Sequence, residues 1–90
     1  MYTIELIPDN LHCIETVARK EYINLSDNLL RSGKYDADFE AKFELLRGFL
    51  NQFDFRKLRQ ESDDYLQKGQ RIKFIIYGEH GNVNYRIVPI

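Results

Sequence analysis

Residues 36–53 read DADFEAKFELLRGFLNQF. From Phe39 the large apolar residues step to Phe43, Leu46, Leu50 and Phe53, spacings of four, three, four and three. That rhythm puts them on one stripe of a helix, widened at its edges by Leu45 and Phe49. Glu40, Lys42, Glu44, Arg47, Asn51 and Gln52 fall on the other side. A helix with so aromatic a face is stable only when something covers it. The rest of the chain is therefore expected to supply the cover.

Working outward, the N-terminal side divides into a strand and a helix. Met1 to Ile7 alternates, with Tyr2, Ile4 and Leu6 on one side and Thr3 and Glu5 on the other, as in a half-buried strand. Pro8-Asp9-Asn10 ends it, and Asp9 or Asn10 suits a helix N-cap. Leu11, Ile14, Ala18, Tyr22, Leu25 and Leu29 then keep helical spacing, flanked by Val17 and Leu30. One helix from about Asn10 to Arg31 follows, about 33 Å long. Asn24 to Asn28 is its weak point, because Asn, Ser and Asp compete for the backbone, so a kink or a restart capped by Ser26 is an alternative. Ser32-Gly33 supplies the stop and Asp36 the next cap, which makes the two helices antiparallel neighbours.

On the C-terminal side, Asp54 is the expected N-cap of a third helix, Phe55 to about Lys68, with Phe53 and Leu58 as a hydrophobic staple and Gly69 as the stop. Its stripe is Phe55, Leu58, Ser62, Tyr65 and Leu66. One unbroken helix from Asp36 to Lys68 is the alternative. Gly48 falls opposite the aromatic stripe. The plainer reading is a tolerated surface glycine, and the sharper one is close approach by another backbone, such as a partner's.

Arg71–Tyr77 and Val83–Val88 are rich in β-branched and aromatic residues, with Gly78-Glu79-His80-Gly81-Asn82 between them: a hairpin. Pairing Ile76 with Tyr85, Phe74 with Ile87 and Ile72 with Pro89 gathers the apolar residues on one face. A slip by one residue would set Phe74 against Arg86. The turn closes at His80-Gly81 or over Glu79–Asn82. The expected fold is α+β, a two-layer sandwich. A three-stranded antiparallel sheet (N-terminal strand plus C-terminal hairpin) packs on two or three helices in the order β-α-α-(α)-β-β. Residues 1–90 form one domain.

The chain has 13 basic and 14 acidic residues, a formal net charge of −1, so nothing global draws it to nucleic acid or an anionic membrane. A single cysteine, Cys13, excludes an intrachain disulfide. No basic-then-apolar leader and no stretch of the ~18–20 apolar residues that span a bilayer is present, so a soluble cytoplasmic protein is expected, with no membrane partner.

No motif carries chemistry. Phosphate-cradling Gly-rich loops, HExxH, GxSxG and paired cysteines are absent from the sequence, and neither metal nor cofactor is expected. His12 and Cys13 diverge by about 100° on a helix, which suits neither zinc nor a nucleophile–base pair. Glu79 and His80 read as turn residues, while Asp36, Asp38 and Glu40 favour a helix start. The third helix carries Arg56, Lys57 and Arg59 early and Glu61, Asp63 and Asp64 late, against the macrodipole, partly offset by i,i+4 pairs Lys57–Glu61 and Arg59–Asp63. Arg56, Lys57 and Arg59 are a candidate basic patch for an acidic surface or phosphate, weighed against a plain solvated face.

The hairpin register assigns an outward sheet face of Arg71, Lys73, Ile75, Tyr77, Arg86, Val88 and Ile90. It is the candidate partner surface. The leading expectation is a non-enzymatic protein-interaction or regulatory module, with self-association as a homodimer included. Interleaved basic and aromatic residues also suit RNA or single-stranded DNA, the alternative. A third class, a toxin-like ribonuclease, is suggested by element order alone and would need Tyr85 or Arg86.

Overall fold

The computed structural model describes residues 2–32, 37–79 and 82–90, excepting the side chains of Leu29, Ser32 and Glu79. Six elements follow one another: β1 (Tyr2–Leu6), α1 (Ile14–Ser32), α2 (Ala37–Gln52), α3 (Phe55–Leu66), β2 (Ile72–Glu79) and β3 (Asn82–Pro89). The strands form one antiparallel sheet in the order β1-β2-β3. This is the expected α+β architecture, with three helices rather than two.

The hairpin register is the one that burial demanded. Ile76 pairs with Tyr85, Phe74 with Ile87 and Ile72 with Pro89. The ladder continues past the expected strand ends through Gly78↔Val83 to Glu79↔Asn82. The turn expected at His80-Gly81 lies outside the described residues, as do Gly33 and Asp36 between α1 and α2. Strand β1 aligns Ile4 with Ile76 and Leu6 with Phe74, so all three strands present their apolar residues to the same side.

Helix α1 departs from expectation at its start. It begins at Ile14, not Asn10. The Asp9 carboxylate accepts the amides of Leu11 and His12 at 2.8 and 2.7 Å, as an N-cap would, but the His12 carbonyl turns back to accept the Asp9 amide at 3.0 Å, which closes a turn over Asp9–His12 instead of a helix. Leu11, read as the first residue of the stripe, is consequently 87% exposed, and Leu30 near the far end is 80% exposed. The Asn24–Asn28 segment stays helical without a break. Burial of Ala18 before it and of Leu25 within it outweighs its weak propensity.

Helices α2 and α3 are separate. The break falls at Phe53-Asp54, where the Asp54 carboxylate caps α3 by accepting the Arg56 amide at 3.0 Å. At its other end Gly69, at φ 77°, lets its own amide reach the Leu66 carbonyl and the Gln70 amide reach that of Tyr65, a Schellman stop. Tyr65, placed on the inner stripe from spacing, is exposed instead, while Leu58 and Ser62 are buried.

Helix α2 is turned relative to the reading of its stripe. Leu45, Leu46 and Phe49 are its buried residues, whereas Phe39, Phe43, Leu50 and Phe53 are half-buried. Leu46 is buried as its place on the stripe implied, but the buried face is completed by the supposed edge residues Leu45 and Phe49. The reason is that α2 has two neighbours: it packs on all three strands with one flank and on α1 with the other. Phe43 stacks on Tyr22 of α1 at 4.8 Å between ring centroids, while Phe49 meets Phe53, Phe55 and Tyr85. The same rotation corrects the reading of Gly48. It is not a free surface position and needs no partner's backbone. A Cβ built there would stand 2.6 Å from Val83 Cγ2 of the chain's own hairpin.

Candidate functional site

The far side of the sheet is set by alternation. With Ile72, Phe74 and Ile76 turned inward, Lys73, Ile75 and Tyr77 of β2 must face out. On β3, Val83, Tyr85 and Ile87 pack with the core and Asn84, Arg86 and Val88 face out. On β1, Thr3 and Glu5 join them. The pairing makes cross-strand rows: Thr3, Tyr77 and Asn84 in one, Glu5, Ile75 and Arg86 in the next, Lys73 and Val88 in a third.

None of Ile75, Tyr77 and Val88 belongs to the core or to the side chains packed around it. They are half-buried only by their neighbours on the face. Arg71, Arg86 and Ile90 are exposed. The Lys73 ammonium leans across to Glu5, 3.2 Å from Oε1, so this lysine of the candidate surface is part of an ion pair. Arg86 has no carboxylate partner among the described residues. The rows therefore bring Lys73, Ile75, Tyr77, Arg86 and Val88 together and add Thr3, Glu5 and Asn84, while Arg71 and Ile90 lie just past the strand ends, joined by the Ile90 amide donating to the Arg71 carbonyl at 2.9 Å. The alternation of β1 pointed Glu5 outward, but only the β1–β2 register places it beside Lys73 and Ile75.

The basic patch on α3 is dispersed. Arg56 and Arg59 border a recess of ≈ 280 Å³ with Cys13, Ile14, Glu15, Asp54 and Phe55, and Lys57 does not reach it. Of the three basic residues only Arg59 has an acid beside it among the described residues, its Nε 3.9 Å from Asp63, while Glu15 on the rim is held by Arg19 at 3.3 Å. The expected Lys57–Glu61 pairing gives way to a longer-range contact, in which the Tyr85 hydroxyl donates to Glu61 Oε2 at 2.9 Å.

That contact fixes the role of Tyr85. Its ring packs against Phe49, Phe53 and Phe74, and its hydroxyl is anchored to α3. Burial first, then the hydrogen bond to Glu61 and that residue's negative charge, push the phenol up to about 12. A spectrophotometric titration of the six tyrosines should show one late component near pH 12, absent in Tyr85→Phe. The phenol of the folded chain holds its proton above the ordinary value of 10. The stability it confers is present below pH 10 and drains away as pH rises through about 12. A titration without a component near pH 12, or one unchanged in Tyr85→Phe, would contradict this packing.

Cys13 stands immediately before the first turn of α1, with Sγ 3.3 Å from Thr16 Oγ1. The Thr16 hydroxyl and amide, and after them the Glu15 amide and the charge of Arg59, favour the thiolate and together outweigh the opposing effect of burial, so its pKa lies below the ordinary 9.0. The pH midpoint of iodoacetamide alkylation should accordingly lie below 9.0 and rise in Thr16→Val. A wild-type midpoint at or above the ordinary value would refute the geometry. Among the described residues no base is aimed at the thiol: His12 turns to Asp9, with Nδ1 3.4 Å from Oδ1. Among the described residues no group of three or more His, Cys, Asp or Glu is placed to hold a metal ion, and no helix is long and apolar enough to cross a membrane.

A protein-family model matches residues 3–84. The chain belongs to that uncharacterised family. The matched span runs from β1 into β3 and so takes in Glu5, Lys73, Ile75 and Tyr77 but stops before Arg86 and Val88. Neither a curated protein nor a solved structure matches the chain.

Proposed function

We propose that this chain is a non-enzymatic interaction module that binds a protein partner through the open face of its sheet. One observation carries the reading. The helices cover one side of the sheet, and Ile75, Tyr77 and Val88 on the other side are left out of the core. A flat apolar strip rimmed by Glu5, Lys73, Asn84 and Arg86 has the anatomy of a docking surface, with an apolar centre and a polar rim. Nucleic acid is a weaker fit for the same face. Lys73 is already engaged by Glu5, and the net charge of −1 supplies no long-range attraction.

The test is affinity capture with the wild-type chain and with Ile75→Thr/Val88→Thr, which removes apolar area while keeping the β-branching the strands favour. A defined protein should be retained by the wild type and lost by the variant, with the melting temperature little changed. Identical retention by both would overturn the proposal. Retention of single-stranded RNA that fades steeply with salt and is lost in Arg71→Ala/Lys73→Ala would hand the face to nucleic acid instead.

A further inference from the structure

Building on that reading of the sheet face, we infer that its partner is a second copy of this chain, stacked face to face about a two-fold axis that runs nearly along the strands. The argument rests on the order of charges across one row. Glu5 on β1, Ile75 on β2 and Arg86 on β3 lie side by side in register. The row therefore reads negative, apolar, positive from one edge of the sheet to the other.

A symmetric dimer must present the same patch to itself, so the patch has to be self-complementary. Only some axes achieve that here. A two-fold parallel to the strands lays β1 of one copy over β3 of the other and β2 over β2. It brings Glu5 against the second copy's Arg86, twice, and Ile75 against Ile75. The row with Thr3, Tyr77 and Asn84 then sets Tyr77 on Tyr77 and Thr3 opposite Asn84. A two-fold perpendicular to the strands would instead oppose Glu5 to Glu5 and Arg86 to Arg86, which is repulsive. Packed sheets cross at about 30°, which tilts the axis only about 15° from the strand direction and preserves the edge-to-edge matching.

Lys73 is the residue such an axis would bring near its own copy. Its ammonium is already drawn aside to Glu5, at 3.2 Å, which moves the charge away from the axis toward the β1 edge. Arg86, with no acid among the described residues of its own chain, is left to the second copy. Charge across the whole molecule offers little resistance, at −1 per chain. The contact is small: eight residues of β2 by three strands is a footprint of roughly 400 Å² per copy, below the ~800 Å² per partner of a standard interface. The dimer is therefore weak and forms at high concentration.

Sedimentation equilibrium between about 10 μM and about 1 mM reads it directly. The weight-average mass of the wild type should climb toward twice the monomer. Glu5→Lys and Arg86→Glu should each weaken association at least tenfold, an equimolar mixture of the two should associate more strongly than either alone, and the double variant Glu5→Lys/Arg86→Glu should dimerise more strongly than either single variant, because reversal of both charges restores the pairing across this axis. Should Glu5→Lys fold poorly beside Lys73, Glu5→Gln and Arg86→Gln give the milder loss. A wild type that stays monomeric to the highest concentration overturns the inference, as does a double variant no stronger than the single ones. If the wild type is monomeric while a different protein is captured through Ile75 and Val88, the second copy is excluded and the docking face stands.

Discussion

Phe49→Ala should lower the stability of the folded chain by about 3–5 kcal/mol and its melting temperature by about 15 °C or more. Phe49 is 0% exposed and sits where α2, α3 and the hairpin meet. Its ring centroid lies 5.5 Å from those of Phe53 and Phe55 and 6.2 Å from that of Tyr85. Truncation removes the buried apolar area and leaves a cavity bounded by three rings that cannot all close on it. A chain of 90 residues has roughly 5–13 kcal/mol of total stability, so the loss is a large fraction of it. Phe43→Ala is the control. That ring is half-buried against Tyr22 on the α1 side, and its loss should cost distinctly less. Denaturant titration of both variants at matched m-values measures the difference. Equal losses, or a larger loss for Phe43→Ala, would mean that α2 is not rotated onto Leu45 and Phe49 as described.

Gly78→Val should be the second severe change, at about 3 kcal/mol or more, through a different cause. Gly78 reads as a loop residue in sequence, but it lies within β2, opposite Val83 of β3 and Tyr2 of β1. A Cβ at Gly78 would collide with the Asn82 carbonyl and stand 3.1 Å from Val83 Cα. The obstacle is backbone, which cannot step aside as a flexible side chain would. The hairpin must splay or shift, and β3 loses its register beside the strand that anchors it. Gly69→Ala is the contrasting case. Nothing lies within 4 Å of its Cβ position, and the cost there is only that of holding φ at +77°, about 1 kcal/mol. Thermal melts of the two variants separate steric collision from backbone preference. A mild effect at Gly78 would mean that the strands are farther apart near the turn than the structure shows.

Much of this architecture was legible because burial punishes the alternatives. The hairpin register followed from requiring Phe74 and Ile76 to share a side with Tyr85 and Ile87, since a one-residue slip exchanges every inward residue for an outward one. The cap at Asp54 and the stop at Gly69 were legible because each rests on a local backbone need that few residue types meet. What misled was equally physical. Leu11 has the right spacing for α1, yet the His12 carbonyl turns back onto the Asp9 amide and closes a turn, and the helix opens three residues after Leu11. Spacing also put Phe43 and Leu50 on the α2 stripe beside Leu46 and left Phe49 at its edge, because periodicity gives the shape of an apolar face but not how two neighbours divide it.

For the candidate site, the outward identity of Lys73, Ile75, Tyr77, Arg86 and Val88 could be read from alternation alone. The Lys73–Glu5 pair could not, because nothing local to β1 specifies which residue of β2 it faces. Nor could the link from Tyr85 to Glu61, since residues 24 apart meet only when α3 folds back over the hairpin.

By itself, then, the sequence determined the kind and order of the elements and the inner and outer side of each strand, because periodicity, caps and turn residues act over a few positions. Tertiary structure alone decided the rotation of α2, the need for glycine at 48 and 78, and the charge order from Glu5 to Arg86. Each depends on surfaces distant in the chain competing for the same space, and such competition leaves no periodic trace in the residues themselves.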